Sequence, residues 1–120
     1  MSLGTLGKSM KRTRTQLVET ETDNIASEFH QRFGMRDGEY VEYQKDTRAG
    51  GSVVVLARIL YVEDCYYNQG GGWTANIKVV PMLSGGRLGS TRTITIAMGG
   101  KERGLRILGY NLSNLRRVVA

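Results

Sequence analysis

Few residues of this 120-residue chain have the types and spacing that catalysis or metal binding would need. The single histidine, His30, has no Cys, Asp or Glu at metal-ligand spacing and is expected on the polar side of a helix. The single cysteine, Cys65, has no histidine near it in the sequence, so a nucleophilic role would need a base from elsewhere. Glu63 and Asp64 are adjacent on a predicted strand, where neighbouring side chains point to opposite faces. The sequence therefore predicts a protein that is not an enzyme and that uses no metal or cofactor.

Aromatic side chains among basic residues indicate a different chemistry, the binding of nucleic acid. Single-stranded bases stack on aromatic rings, while Arg and Lys neutralise phosphates. The residues concerned are Tyr40, Tyr43, Tyr61, Tyr66, Tyr67 and Trp73. Most strand aromatics simply pack a core, and Tyr61 and Trp73 are expected there. Tyr66 and Tyr67 precede a polar, Gly-rich loop, where a ring is expected to be free.

The charge distribution favours a polyanionic partner. The net charge is +6 at pH 7, but residues 17–47 carry eight acids and only three bases, so the excess of positive charge lies in residues 1–16 and 48–120. Such asymmetry favours nucleic acid over a membrane surface. One cysteine excludes an internal disulfide, and no apolar run reaches the ~18–20 residues that a membrane span needs. An intracellular, cytoplasmic protein is expected.

The chain is short enough for a single domain, predicted over residues 17–120 behind a flexible basic arm at 1–16. One helix is predicted at about 22–33, with Thr22 or Asp23 as its N-cap. Ile25, Phe29 and Phe33 recur at every fourth residue and form one apolar stripe. Gly34 supplies the stop. We expect this helix to cover the open end of a sheet.

After Gly34 the pattern changes to that of strands. Apolar or alternating runs occupy 39–44, 52–62, 73–83, 91–98, 105–108 and 112–119. The run at 52–62 is too long to lie flat, so a strong bend is expected. The chain has 16 Gly and one Pro, which favours tight turns. Five or six short strands behind one helix indicate a small barrel whose edges are closed or paired with a neighbour.

Two segments in this order resemble the paired motifs of the Sm and Sm-like (Hfq-superfamily) proteins. Within 60–68, Asp64, Tyr66 and Asn68 have the spacing of the Asp, the aromatic residue and the Asn of the first motif. Leu60 stands four residues before the Asp, as in the family. Arg58 departs from the pattern, because a glycine is expected there as a pivot for strand bending.

The second segment, 107–115, resembles the second Sm motif. Gly109, Asn111, Leu112 and Leu115 fit its Gly, Asn and two aliphatic positions. Leu108 departs from it, because that position is an Arg that contacts RNA in many family members. The resemblance extends over about 22–119, and the stretch between the motifs is long.

The resemblance implies a mainly β fold, with an N-terminal helix before a strongly bent five-stranded SH3-like barrel. It implies a homo- or hetero-oligomeric ring in which the last strand of one subunit pairs with the fourth of the next. It also implies non-catalytic binding of short, U-rich single-stranded RNA around the pore. Tyr66 would stack a base, Asn68 would hydrogen-bond its edge and Asp64 would hold the loop. Gly109 and Asn111 would line a second loop beside the first.

Other interpretations stay open at this point. The same barrel could serve as a protein-interaction or viral structural module without a nucleic-acid ligand, which the loss of the motif Arg at Leu108 favours. It could also be an SH3-like binder of duplex DNA. The basic residues Lys8, Lys11, Arg12 and Arg14 would add phosphate attraction. Arg116 and Arg117 would do the same, or would lie on a solvated face or in ion pairs between subunits.

Overall fold

The structure is a computed structural model that describes the backbone of residues 14–119 and the side chains of residues 24–119. One α-helix precedes six strands. Their bounds are α1 Arg14–Phe33, β1 Tyr40–Asp46, β2 Ser52–Tyr67, β3 Trp73–Pro81, β4 Arg92–Met98, β5 Leu105–Leu108 and β6 Leu112–Val118. A 3₁₀ turn at Ser84–Gly86 separates β3 from β4. Within the described residues, no helix has both the length and the apolar character that crossing a bilayer requires.

The six strands form one antiparallel sheet in the order β5-β4-β3-β2-β1-β6. The two edge strands, β5 and β6, also contact each other, so the sheet is nearly closed into a barrel. The prediction of a small mainly β barrel with one helix is confirmed at this level. The strand count is six rather than five. The short strand β5 pairs with β4 from Met98↔Leu105 to Thr95↔Leu108 and buries Ile107.

Helix α1 begins at Arg14, eight residues before the predicted start. Thr22 and Asp23 therefore lie inside the helix and are not its N-cap. Residues 14–21 include Gln16, Leu17 and Glu19, which are good helix formers and extend the helix toward the N-terminus. The predicted arm at 1–16 thus has its last three residues in the helix, and Lys8, Lys11 and Arg12 lie outside the described residues.

The predicted apolar stripe and stop of the helix are confirmed. Phe29 and Phe33 are buried, and their ring centroids lie 5.0 Å apart. Gly34 has a φ of 74°, in the left-handed region, and its N–H donates to the carbonyl of His30 at 2.8 Å. This geometry is the glycine cap that ends many helices. The helix packs on β2, the longest strand.

Strand β2 organises the sheet, because it pairs with β1 through its first half and with β3 through its second. We call its two extremities the Ser52 end and the Tyr67 end. Its register with β3 shifts at Leu60 and again at Glu63. Each β-bulge bends the strand and increases its twist, which lets 16 residues curl around the core. The main core side chains are Phe29, Phe33, Met35, Val41, Tyr43, Ile59, Ile77, Val79, Ile96 and Ile107.

The bulges also correct one prediction. Tyr61 was expected in the core, but it pairs with Lys78 on the opposite side of the sheet and is 45% exposed. A bulge adds one residue to the strand, so the residues after it point to the other face. Leu60 occupies that extra position, and Tyr61 therefore faces outward. Trp73 is half-buried and packs against the core, as predicted.

Candidate nucleic-acid interface

The side of the sheet away from the core carries polar and aromatic residues on β2, β3, β4 and β5. Residues paired across neighbouring strands point to the same side, so the strand register defines the rows of this surface. We call it the outer face. Its rows are Tyr66–Thr74–Ala97–Arg106, Asp64–Asn76–Thr95–Leu108 and Tyr61–Lys78–Thr93.

Tyr66 and Arg106 stand at the two sides of the first row. The side chains between them are small: Thr74 is 4% exposed and Ala97 is 2% exposed. Tyr66 is 44% exposed. Three strand intervals separate Tyr66 from Arg106, which corresponds to about 14 Å between their Cα atoms. The middle of the row is therefore buried, and its accessible groups are the Tyr66 ring on one side and the Arg106 guanidinium on the other.

The next rows add hydrogen-bonding groups to the outer face. The Thr95 hydroxyl donates to Asn76 Oδ1 at 2.7 Å, and the Thr93 hydroxyl donates to Glu63 Oε1 at 2.7 Å. Lys78 Nζ lies 3.6 Å from the same carboxylate oxygen. The hydrogen bond from Thr93, followed by the charge of Lys78, lowers the pKa of Glu63. Part of the positive charge of the outer face is therefore already matched within the chain.

The cations nearest the first row lie on the loop between β4 and β5. Arg106 is tied to this loop by hydrogen bonds to the carbonyls of Glu102 and Gly104, and by an ion pair of 3.6 Å with the Glu102 carboxylate. Lys101 and Arg103 are exposed and have no salt-bridge partner within residues 24–119. These two charges are available to a phosphate.

The loop between β2 and β3 packs against the loop between β4 and β5. Gly72 has a φ of 84°, and a Cβ at this position would lie 2.8 Å from the carbonyl carbon and oxygen of Gly99. The two backbones approach so closely because neither residue has a side chain. The loop thus places Tyr66 and the loop cations Lys101 and Arg103 at the same end of the sheet.

Asn68 holds the loop between β2 and β3. Its Nδ2 donates to the Thr74 hydroxyl at 2.7 Å, and that hydroxyl lies 3.1 Å from Asn68 Oδ1, to which it donates. Its backbone N–H donates to the carbonyl of Gly72 at 2.9 Å. The resemblance assigned loop holding to Asp64 and base reading to Asn68. In the structure Asn68 holds the loop, while Asp64 is exposed one row away, opposite Asn76.

The adjacent tyrosines Tyr66 and Tyr67 point to opposite sides of the sheet. Tyr67 packs edge-on against Trp73, with ring centroids 5.4 Å apart, and the Arg32 guanidinium carbon lies 4.4 Å from the centroid of the Trp73 ring. This cluster joins the helix to the Tyr67 end. Tyr67 is exposed, but its ring is supported from below by Trp73, whereas the ring of Tyr66 faces outward.

The second predicted segment begins level with Asp64, because Leu108 shares its row, but its turn leads toward the opposite end of β2. Gly109 and Asn111, with φ values of 142° and 65°, form the turn between β5 and β6. The Asn111 carbonyl accepts a hydrogen bond of 2.9 Å from the N–H of Asp46, which pairs with Ser52. The structure thus brings Asp64, Tyr66 and Asn68 together at the Tyr67 end of β2. Asn111 is instead bonded to Asp46, toward the Ser52 end of β2.

The residues weighed for catalysis show no constellation in the described part of the chain. Burial, followed by the charges of Glu28 and Asp64, raises the pKa of the Cys65 thiol from 9.0 to about 11. Cys65 is therefore protonated at neutral pH, and only a thiolate is a good nucleophile. No group of three His, Cys, Asp or Glu side chains converges as metal ligands within residues 24–119.

Some residues of the outer face were missed by the sequence analysis. Arg106, Lys78, Asn76 and Thr95 share this surface only because of the strand register, which joins residues far apart in the chain. Alternation within each strand was the available signal, but it gives no information about which rows meet. Arg116 and Arg117 pair within the chain, with Glu42 at 2.7 Å and Glu39 at 3.0 Å.

Comparison of the chain with family models, with curated proteins and with solved structures finds no match in any of the three. The Sm-like resemblance therefore stays a prediction. It depends on the motif spacing of Asp64, Tyr66 and Asn68 and on that of Gly109 and Asn111.

Proposed function

We propose that the chain is a non-catalytic Sm-like protein that binds short single-stranded RNA on the outer face of its sheet. The observation that carries this proposal is the exposed ring of Tyr66 on the outer face, with the cations of the loop between β4 and β5 at the same end of the sheet. The preference for U-rich RNA comes from the family resemblance. The intracellular location expected from the sequence is part of the same proposal.

Each part of this surface matches a chemical feature of a single strand. A base stacked on an aromatic ring contributes about 1–3 kcal/mol. Lys101 and Arg103 would neutralise phosphates, which carry no sequence information. Asp64 and Asn76, one row away, offer acceptors and donors to base edges.

The proposed assembly is a ring formed through the edge strands. In this chain β4 is paired on both sides, by β3 and by β5. The strand that could meet β6 of a neighbour is therefore β5, which takes the role that the resemblance gives to the fourth strand. Gly109 and Asn111 connect these two strands, so in a ring they would lie at the contact between subunits. This is where the proposal assigns the second set of RNA contacts.

The test is to compare Tyr66→Ala with Tyr40→Ala, a control on β1 that lies outside the rows of the outer face and away from the turn between β5 and β6. Binding of fluorescent oligo-U, oligo-A and duplex RNA is measured by anisotropy. Tyr66→Ala is expected to weaken oligo-U binding by about 1–3 kcal/mol. Tyr40→Ala is expected to weaken it less. Circular dichroism and light scattering check that both variants fold and assemble like the parent.

Two results would contradict the proposal. One is an affinity for oligo-U that Tyr66→Ala leaves unchanged, which would favour the interaction-module interpretation. The other is a flat response to salt, because the logarithm of the affinity should fall with the logarithm of salt concentration by about 0.7 for each phosphate contact. Equal affinity for duplex and single strands would instead favour a duplex binder.

A further inference from the structure

The Ser52 end of β2 has an open edge. Pairing of β2 with β3 ends at Ala57↔Pro81, after which the N–H of Met82 donates to the carbonyl of Leu56 at 2.8 Å. The chain then turns away through the 3₁₀ turn at Ser84–Gly86. Strand β1 continues to pair with β2 as far as Ser52, on the other side. Within the described residues, no strand pairs with residues 52–55 on the side that β3 has left.

The main-chain groups of Val54 point toward this vacant side. In an antiparallel pair, successive residues direct their N–H and C=O groups alternately to the two neighbouring strands. The Leu56 carbonyl bonds to Met82 on the β3 side, so the groups of Val54, two residues away, face the same side. An exposed row of this kind is a template for pairing with another strand.

An apolar groove of about 500 Å³ runs beside this edge. It is lined by Lys45, Val53, Val54, Pro81, Leu83 and Arg92, among others. The side chains of Val53, Val54 and Leu83 are about half exposed, with Val54 at 59%. No acidic residue lines the groove, whereas it has two cations, Lys45 and Arg92. The groove therefore combines apolar surface, positive charge and unpaired main-chain groups.

We propose that this groove binds an extended segment of a partner protein whose side chains are alternately apolar and acidic. The segment would add a strand beside residues 52–55 in the place that β3 vacates at Pro81. Its main chain would pair with Val54. Its carboxylates would lie on the side of the sheet to which Val53, Lys45 and Arg92 point, and would meet these two cations. Its apolar side chains would lie on the other side, beside Val54. This mode of recognition is β-strand addition, in which main-chain hydrogen bonds supply affinity and side-chain pockets supply specificity.

Two other occupants of the groove fit it less well. The edge strands of a second copy, β5 and β6, contain no acidic residue that could meet Lys45 and Arg92, and their arginines already pair with acids of their own chain. Single-stranded RNA matches the cations but not the apolar lining of Val53, Pro81 and Leu83, and no exposed aromatic ring lines the groove. The proposal is independent of RNA binding on the outer face, which involves other residues.

The experiment uses the full chain and short synthetic peptides in which valine alternates with glutamate or with lysine. Val54→Glu removes apolar surface and repels carboxylates, and Leu60→Glu is its matched control, on the same strand but outside the groove. The Val/Glu peptide is expected to bind the parent chain saturably. Val54→Glu should weaken that binding about tenfold or more, and Leu60→Glu less than threefold. The Val/Lys peptide should not bind.

Hydrogen exchange supplies a readout that needs no variant. When the Val/Glu peptide binds to the parent chain, the amide of Val54 should exchange more slowly, because it becomes hydrogen-bonded. Four outcomes would overturn the proposal: no saturable binding, equal effects of the two substitutions, an unchanged exchange rate at Val54, and a Val/Lys peptide that binds as well. Displacement of the peptide by oligo-U would reassign the groove to RNA, and a Val54→Glu chain that loses an oligomeric state of the parent would reassign it to self-association.

Discussion

The two ends of β2 are built differently, although one strand forms both. At the Tyr67 end, β3 follows β2 to its last residue, the helix contributes Arg32 over Trp73, and two Gly-rich loops interlock. At the Ser52 end, β3 has turned away at Pro81 and apolar side chains meet solvent. At the Tyr67 end, other parts of the chain therefore pair with β2 and cover it. The Ser52 end leaves hydrogen-bonding groups and apolar surface unmatched, which is what a binding partner needs.

The comparison assigns different work to the two ends. The outer face near Tyr66 has a rigid support, because Asn68 and the Gly72–Gly99 contact fix the loop beside it. A loop backbone that is already held in place loses little conformational entropy when a ligand binds. The Ser52 end has an open edge instead, and an added strand would complete the sheet there. The first two predictions below each compare a variant with a second variant at the Ser52 end.

The largest effect is expected from truncating a core residue of helix α1. Phe29 is 1% exposed and stacks on Phe33, so Phe29→Ala should lower the free energy of unfolding by about 3–5 kcal/mol. Val54→Ala at the Ser52 end should lower it by less than about 1 kcal/mol, because Val54 is mostly solvated. Urea denaturation followed by circular dichroism measures both. Similar losses for the two variants would mean that the Ser52 end is packed as tightly as the core.

A second prediction separates two costs of replacing a glycine: the cost of a close approach between two backbones and the cost of an unfavourable φ. Gly72 and Gly50 have φ values of 84° and 91°, but a Cβ at Gly72 would lie 2.8 Å from Gly99, whereas nothing lies within 4 Å at Gly50. Gly50→Ala, in the turn at the Ser52 end, should therefore cost only the left-handed conformation, about 1 kcal/mol. Gly72→Ala should cost about 3 kcal/mol, because the two loops must also separate.

The same pair of variants has a functional control. Separation of the loops moves Lys101 and Arg103 away from Tyr66, so Gly72→Ala should also weaken oligo-U binding in the fraction that stays folded. Gly50→Ala should leave that binding unchanged. Equal destabilisation by the two substitutions, measured by thermal and urea unfolding, would show that the loops do not interlock in solution.

The third prediction concerns the pH dependence of Cys65, which lies near the Tyr67 end. Folding raises the pKa of its thiol from 9.0 to about 11, chiefly by burial. The protonated form is therefore favoured in the folded state. This contribution to stability is present below pH 9 and is lost as the pH rises through about 11. At pH 8, alkylation by iodoacetamide should be slower in the folded chain than in urea by roughly tenfold to a hundredfold. Equal rates would mean that the helix does not cover this end.

The sequence analysis predicted the parts of the fold that depend on local patterns. The stripe of Ile25, Phe29 and Phe33, the stop at Gly34 and the alternation of the strands are signals within one element. The placement of Tyr61 was not predictable in this way, because it depends on a bulge at Leu60 that reverses which face the following residues occupy. A bulge leaves no reliable mark in the sequence.

The candidate site was predicted in part for a similar reason. Exposed rings were predicted for Tyr66 and Tyr67, since a strand end beside a Gly-rich loop leaves an aromatic side chain free, and both rings are exposed. The place of Gly109 depends on which turn packs against which, and this is decided by pairing β6 with β1 across more than 60 residues of chain. Local residue patterns carry no information on such pairing. The open edge was equally hidden, because it results from where β3 ends relative to β1.

The smallest effect is expected at Asn68, where the resemblance and the geometry assign different roles. Its amide bonds the buried hydroxyl of Thr74 through both Nδ2 and Oδ1. Asn68→Ala leaves that hydroxyl without this partner and should lower the free energy of unfolding by about 1–2 kcal/mol. Thr74→Val should cost a similar amount. The double variant should cost about 1 kcal/mol less than the sum of the two, because both substitutions break the same interaction.

The RNA affinity of these variants distinguishes the two roles of Asn68. If the amide only holds the loop, Asn68→Ala and Thr74→Val should weaken oligo-U binding equally, and both less than Tyr66→Ala. If the amide reads a base, Asn68→Ala should weaken binding much more than Thr74→Val, and the loss should be larger for oligo-U than for oligo-A. The geometry favours the first outcome, because the donor and the acceptor of the amide are both already bonded within the chain. Base reading would require the Asn68–Thr74 hydrogen bonds to break when RNA binds, and would so loosen the loop that supports Tyr66.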